Sequence, residues 1–243
     1  MQLNQARILL TGATGGLGQA LAAELTAAGA AVLLAGRSAG KLAAVRVAPG
    51  ADYATVQADL TTAEGIAAAT AAARHFGINV LINNAGIGCF GLLEKQQWAE
   101  VEQVLATNLA VPVRLTQALL PWLRAQPAAV IVNIGSAFGS IPFPGFAAYS
   151  AAKAGLRGFS QALRRELADS LVRVVHIAPR AIDTPLNTPE VIALNRQLKN
   201  HSDTPQAVAT RIVEALRNGD RERHLGFPER LFAWLNGVAP SLV

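Results

Sequence analysis

Six short apolar runs, at 7–10, 31–35, 53–57, 80–83, 130–134 and 172–177, alternate with Ala-rich stretches at 16–28, 63–76, 98–125, 147–170 and 205–218. Each of those stretches is long enough for three or more helical turns. This alternation constrains the fold more than any other property of the chain. Several of the runs are apolar at nearly every position, so both faces must be covered, as in a parallel strand held between two helical layers. Parallel neighbours need a helical crossover, and such crossovers are right-handed. The pattern therefore predicts an α/β fold, a doubly wound parallel sheet with helices on both faces. No linker-like composition or internal repeat divides the 243 residues, so one domain spans 1–243.

Composition removes several alternatives. Half of the residues are hydrophobic and 15% are charged, which excludes a disordered chain. Cys89 is the single cysteine, so no intrachain disulfide can form and a reducing compartment is expected. No apolar run reaches membrane-spanning length, and residues 1–7 lack the long apolar stretch of a signal peptide. The expectation is a soluble, cytoplasmic protein. The net charge of +5 is scattered, without a Lys/Arg block or interleaved aromatics, which argues against nucleic acid as a partner. Four histidines and one cysteine show no metal-ligand spacing, and no Gly-x-Ser-x-Gly elbow is present.

In an open α/β sheet ligands bind outside the carboxyl ends of the strands. The polar and Gly-rich segments fall there: Thr11-Gly12, Gly36-Arg37, Asp59, Asn83-Asn84-Ala85-Gly86, Ser136 and Pro179 each follow a strand. The first of these continues as Thr11-Gly12-Ala13-Thr14-Gly15-Gly16-Leu17-Gly18 and opens a helix. Small residues here let the backbone turn sharply and bring N–H groups near a pyrophosphate, which points to a dinucleotide in a Rossmann-type sheet. The end of the second strand selects the dinucleotide. A carboxylate there would accept from a ribose 2′-OH, but the segment is Ala35-Gly36-Arg37-Ser38-Ala39-Gly40-Lys41. Arg37 offers a guanidinium fork to a 2′-phosphate and Ser38 a hydroxyl, so NADP(H) is expected rather than NAD(H).

Tyr149 and Lys153 stand four residues apart on one face of a helix. A phenol near pH 7 is a poor acid or base, and an ammonium beside it would lower its pKa into a useful range. The pair gains meaning from Asn108 and Ser136 upstream. Each residue has a plainer alternative: Asn108 as a polar group in a kinked helix, Ser136 as a capping hydroxyl, Asn84 as a turn residue, and His176 as a core histidine.

On these residues the chain resembles the short-chain dehydrogenase/reductase family from about residue 6 to residue 220. Thr11, Gly12, Gly16 and Gly18 match its TGxxxGxG motif, Asn83 to Gly86 its NNAG motif, and Asn108, Ser136, Tyr149 and Lys153 its catalytic tetrad. The resemblance implies hydride transfer between an alcohol or carbonyl and a nicotinamide, with Tyr149 exchanging the proton and Ser136 holding the substrate oxygen. Lys153 would contact the nicotinamide ribose, and Asn108 would hold a water joining Lys153 to solvent. Cofactor contacts would come from Gly12, Thr14, Gly16, Leu17, Gly18, Arg37, Ser38, Asp59, Leu60, Asn84, Ala85, Gly86, Lys153, Pro179, Ile182 and Thr184. A homodimer or homotetramer is implied as well.

Two departures stand out. The family's Pro-Gly after the sixth strand is Pro179-Arg180 here, a cation that could bind an anionic substrate group, pair with Asp183, or face solvent. Residues 223–243 form an atypical tail, with a helix expected over 229–237 and an apolar stripe of Leu231, Trp234, Leu235 and Val238. That stripe would pack on the domain or a neighbouring subunit, with a membrane surface or coverage of a lipophilic substrate as the sharper alternative. Residues 185–200 are the expected substrate lid. Apolar segments around Phe90 and Phe143 favour a hydrophobic carbonyl or alcohol as the small-molecule partner. The competing reading is a catalytically idle dinucleotide-binding regulator or redox sensor on the same fold.

Overall fold

The six expected strands all enter one sheet. The computed structural model describes residues 2–198 and 200–239. Its strands are β1 (Arg7–Thr11), β2 (Ala31–Gly36), β3 (Tyr53–Gln57), β4 (Val80–Asn83), β5 (Ala129–Ile134), β6 (Val172–Ala178) and β7 (Glu222–His224). They pair in the order β3-β2-β1-β4-β5-β6-β7, every pairing parallel. The order reverses direction between β1 and β4, which places the crevice of a doubly wound sheet beside the end of β1.

The helices are α1 (Gly16–Ala27), α2 (Ala39–Ala43), α3 (Ala63–Phe76), α4 (Trp98–Leu105), α5 (Val111–Arg124), α6 (Ala147–Glu166), α7 (Pro189–Gln197), α8 (Pro205–Asn218) and α9 (Phe227–Val238). Successive strand residues point to opposite faces, and both faces are buried. Ile8, Leu10, Val32 and Leu34 pack with Leu17, Leu21 and Leu25 of α1 and with Val208, Ile212 and Leu216 of α8. Leu9, Leu33, Leu81 and Ile131 pack on the other face with Ile66 of α3 and Leu115, Leu119 and Leu123 of α5. Each fully covered Leu or Ile contributes roughly 1.5–3 kcal/mol, so apolar residues dominate these strands; the buried Asn83 and Asn133 bond each other across β4 and β5 at 2.8 Å.

Four features differ from the sequence expectation. β7 was not anticipated: Glu222-Arg223-His224 carries no apolar signal, and it is held by ladder bonds to β6 and by Arg157, whose Nε donates to Glu222 at 2.7 Å. The single helix expected over 98–125 is two helices joined by a π-helical turn at Ala106–Ala110. The expected lid contains α7, started by Thr188, whose hydroxyl accepts from the Val191 N–H at 3.4 Å, and by Pro189 at the first position. On α9, Leu231, Trp234 and Val238 remain 52%, 64% and 67% exposed, so the stripe does not pack on the domain. The face turned inward carries Ala233 and Asn236, whose Nδ2 donates to the Ser140 carbonyl at 2.9 Å. The last four residues of the tail lie outside the described residues. Among the described residues no helix is long and apolar enough to cross a membrane.

His176 in β6 is fully buried, and neither ring nitrogen has a hydrogen-bond partner among the described residues. Burial, only partly opposed by Glu222, lowers its pKa from 6.5 to about 4. The unfolded chain therefore binds a proton that the folded chain refuses across that window, and stability falls as pH drops from about 6.5 toward 4. Between pH 7 and pH 5 this single group should remove about 2 kcal/mol. Urea titration of wild type and His176→Leu at both values checks it. The variant should lose about 2 kcal/mol less than wild type; equal losses would contradict the assignment.

Candidate active site

β1 ends at Thr11, whose buried hydroxyl knits two strand ends together. It accepts the N–H groups of Asn84 and Ala85, both at 3.0 Å, and donates to the Ile82 carbonyl at 3.3 Å. The Asn84 amide returns the contact, donating to the carbonyls of Thr11 at 2.9 Å and Gly12 at 3.2 Å. Asn84 thus fastens the turn after β1, which accounts for an Asn there on structural grounds.

Within that turn, side chains are sterically excluded. Gly12 has φ +64°, and a Cβ on it would lie 2.7 Å from Ala85 Cα. A Cβ on Gly18 would overlap the Gly12 carbonyl, and one on Gly86 would lie 2.7 Å from Asn108 Oδ1. No side chain caps α1 at Gly15. Bare backbone at a helix start, closed in by glycines, is the arrangement a pyrophosphate requires, so the residues present fit a dinucleotide.

The other side chains arrive from β5, α6 and the π turn. Asn108, fully buried, donates Nδ2 to the Ile87 carbonyl at 2.8 Å and accepts the Ile87 N–H on Oδ1 at 3.1 Å. The extra residue of a π turn rotates it off the regular helix face, and such turns concentrate at functional sites. Ser136 follows β5 and accepts the Phe138 N–H on its Oγ at 3.2 Å, so it does cap a short 3₁₀ turn. Lys153 is 5% exposed; its Nζ donates to the Ile134 carbonyl at 2.9 Å and lies 5.8 Å from the Tyr149 ring centroid.

Electrostatics at this pair differ from the sequence argument. Burial raises the Tyr149 pKa above its usual 10, and the hydrogen bond with Ser136 only partly opposes it. The expected lowering of the phenol by the ammonium is not seen; burial acts on Lys153 as well and lowers its pKa from 10.5 to about 8. Desolvation acts on both groups and favours their neutral forms.

One cavity of about 1110 Å³ collects these groups. Its lining contains Asn108, Ser136, Tyr149 and Lys153, and every expected cofactor residue from Gly12 to Thr184 with one exception. Ser38 is not in the lining; its hydroxyl accepts the Lys41 N–H at 3.4 Å and caps α2. Arg37 stands exposed at the rim. The Asp59 carboxylate accepts both the N–H and the hydroxyl of Thr61, at 3.0 and 2.7 Å, which with the nearby Arg37 holds its pKa below the usual value. Among the described residues no cluster of three or more His, Cys, Asp or Glu could hold a metal.

Opposite the glycines the cavity is aromatic. Phe138 and Phe146 approach to 4.9 Å between centroids, Phe90 and Phe146 to 5.0 Å, and both Phe138 and Phe146 present to Tyr149 edge-on. Leu186, Val191 and Leu194 of the segment around α7 and Phe232 of α9 complete the wall. Sequence reasoning allowed the tail to cover an apolar substrate but missed Phe232, which lies outside the stripe of Leu231, Trp234, Leu235 and Val238. Arg180 also departs from expectation. Its partner is neither Asp183 nor solvent but Asp203, contacted by Nε at 2.9 Å and Nη2 at 2.8 Å.

Comparison with known proteins agrees with this architecture. Residues 6–194 match the family model described as short chain dehydrogenase. The oxidoreductase claN of Passalora fulva is 38% identical over 178 residues, 72% of this chain and 82% of that protein. The 3-oxoacyl-[acyl-carrier-protein] reductase FabG of Pseudomonas aeruginosa is 37% identical over 191 residues, 76% of this chain and 77% of the relative. Among solved structures, a short chain dehydrogenase from Burkholderia cenocepacia in complex with NADP superimposes with TM-score 0.86 at 26% identity, covering 100% of this chain and 97% of that one. One from Burkholderia phymatum in complex with NAD gives TM-score 0.88 at 24% identity over 100% and 96%, a likeness of fold. The chain belongs to the short-chain dehydrogenase/reductase family of oxidoreductases.

Proposed function

We propose that this protein interconverts an alcohol and a carbonyl by hydride transfer with NADP(H), reducing a hydrophobic ketone, aldehyde or oxoacyl compound. The observation that carries the reading is the meeting of Ser136, Tyr149 and Lys153, beneath an aromatic wall, in the cavity that also contains the glycine cradle. Bound NADP(H) would supply or accept the hydride. The Ser136 Oγ accepts the Phe138 N–H, and its O–H, which faces the Tyr149 phenol, can turn to donate to a substrate oxygen placed between the two. Tyr149, held neutral by its surroundings, gives a proton to that oxygen as the alcohol forms. Lys153 spends one N–H on Ile134 and keeps two for the ribose hydroxyls. After bonding Ile87, Asn108 retains one amide hydrogen and one lone pair, enough to hold a water between Lys153 and solvent.

The rings of Phe90, Phe138 and Phe146 exclude water and favour an apolar group beside the carbonyl. Kinetics with a series of ketones and aldehydes of rising size and apolar area test this. The value of kcat/KM should rise along the series; a preference for small polar carbonyls would contradict it.

The exposed Arg37, with no carboxylate at the end of β2, supports NADP(H). Arg37→Asp should lower kcat/KM for NADPH about 100-fold, the loss expected when a charge-assisted pair is removed and a repulsion added, while NADH is spared. Equal effects on both nucleotides would contradict the role of Arg37. The lone Cys89 supports a reducing, cytoplasmic setting. A homodimer or homotetramer is supported by Leu92, Leu93 and Trp98, exposed at 56%, 58% and 70% about the start of α4.

A further inference from the structure

Arg180 is the first residue after Pro179 at the end of β6, where the family resemblance leads one to expect glycine. Its guanidinium grips Asp203 with two parallel N–H bonds, at 2.9 and 2.8 Å, and Asp203 is 8% exposed. The two segments meet through the backbone as well. The Asp183 N–H donates to the Asp203 carbonyl and the Asp203 N–H to the Ala181 carbonyl, both at 2.9 Å. Residues 184–202, which contain α7, therefore form a loop whose two feet are joined at this point. Arg211 of α8 also reaches Asp203, at 3.3 Å. From its remaining nitrogen, Arg180 faces Glu229 in the first turn of α9 at 3.9 Å.

Each tied segment borders the cavity. The first supplies Ile182 and Thr184, and Thr184 packs so close to the phosphate turn that a Cβ on Gly16 would lie 2.9 Å from its Cγ2. The loop supplies Leu186 and Leu194, and α9 supplies Phe232. We propose that Arg180 is a positioning residue, clamping the lid through Asp203 and the tail helix through Glu229 so that both close over the catalytic cavity. A planar fork with five donors can serve two carboxylates in different directions, which a lysine ammonium cannot do with the same geometry. The kinetic part rests on the hydride-transfer reading; the structural part does not.

The test compares full-length wild type with Arg180→Ala, Arg180→Lys, Asp203→Asn and Glu229→Gln. Native-state proteolysis should cut between residues 184 and 202 roughly tenfold faster in Arg180→Ala and Asp203→Asn, with Arg180→Lys between them and wild type. Carbonyl KM should rise by about the same factor in those two variants while kcat changes less than about threefold. Glu229→Gln should raise carbonyl KM and leave cleavage of the loop unchanged. Asp203→Asn separates the clamp from direct substrate binding. A clamp loses KM in both Arg180→Ala and Asp203→Asn, whereas an Arg180 that binds an anionic substrate is freed by Asp203→Asn and tightens KM. That tightening would overturn the proposal. So would loop cleavage at the wild-type rate in Arg180→Ala, or acceleration at sites throughout the chain with no rescue by Arg180→Lys. If no carbonyl is turned over, the hydride-transfer reading fails while the proteolysis result still decides on the clamp.

Discussion

Tyr149→Phe should lower kcat by about 10³-fold or more with any carbonyl substrate, while the dissociation constant for NADP(H) stays within about threefold of wild type. The substitution removes one oxygen and keeps the ring, whose edges to Phe138 and Phe146, at 6.4 and 6.1 Å between centroids, hold the wall in place. The phenol is held neutral by burial, so it stands ready as a proton donor in the reducing direction. In the oxidising direction it must lose its proton first, and its raised pKa makes that direction alkaline-dependent. Steady-state kinetics with nucleotide binding measured separately checks the prediction. A variant that keeps more than a tenth of wild-type kcat would remove Tyr149 from the acid/base role.

Lys153→Met should abolish turnover and at the same time make the cofactor-free protein more stable. The ammonium is almost wholly buried and its pKa is about 8 instead of 10.5. Its folded pKa lies below the unfolded value, so the cost of burying the charge is present in full below about pH 8. That cost is relieved as pH rises from 8 toward 10.5. A shift of this size is on the order of 3 kcal/mol, from which the lost bond to the Ile134 carbonyl must be taken. A net gain of roughly 2 kcal/mol at pH 7 is expected, read as a higher urea midpoint with unchanged m. The gain should shrink toward pH 10. Loss of activity and gain of stability in one variant is the signature of a residue kept for function at a cost to the fold. A destabilised variant would show instead that Lys153 is a structural anchor.

The sheet was legible because β1, β2, β4, β5 and β6 are apolar on both faces, and burial on both faces leaves few alternatives to a parallel strand. β7 was not legible because its three residues are all polar and owe their place to β6 and Arg157. The π turn was hidden as well: Ala106-Thr107-Asn108-Leu109-Ala110 has ordinary helical composition, and only the bonds of Asn108 to Ile87 mark it. α7 could have been found, since Thr188 and Pro189 are a recognisable helix start.

The members of the site could be read from residues that follow strands, because strand ends converge on one sheet edge. Its electrostatics could not. The spacing of Tyr149 and Lys153 describes a pair interaction, while their pKa values are governed by desolvation, which depends on every element packed around them. Ser38 looked like a phosphate ligand because a hydroxyl beside Arg37 suits that role; whether it points to the rim or caps α2 depends on backbone geometry. The partner of Arg180 is 23 residues away, joined to it by the loop's closure rather than by local sequence.

The central claim is that these groups carry out hydride transfer and are not an idle nucleotide-binding site. NADPH deuterated at the nicotinamide C4, incubated with the protein and an apolar ketone, tests it most directly. Hydride transfer gives one alcohol per NADPH consumed, with deuterium on the carbinol carbon. Saturable NADPH binding with no consumption across a broad panel of apolar ketones and aldehydes would contradict it.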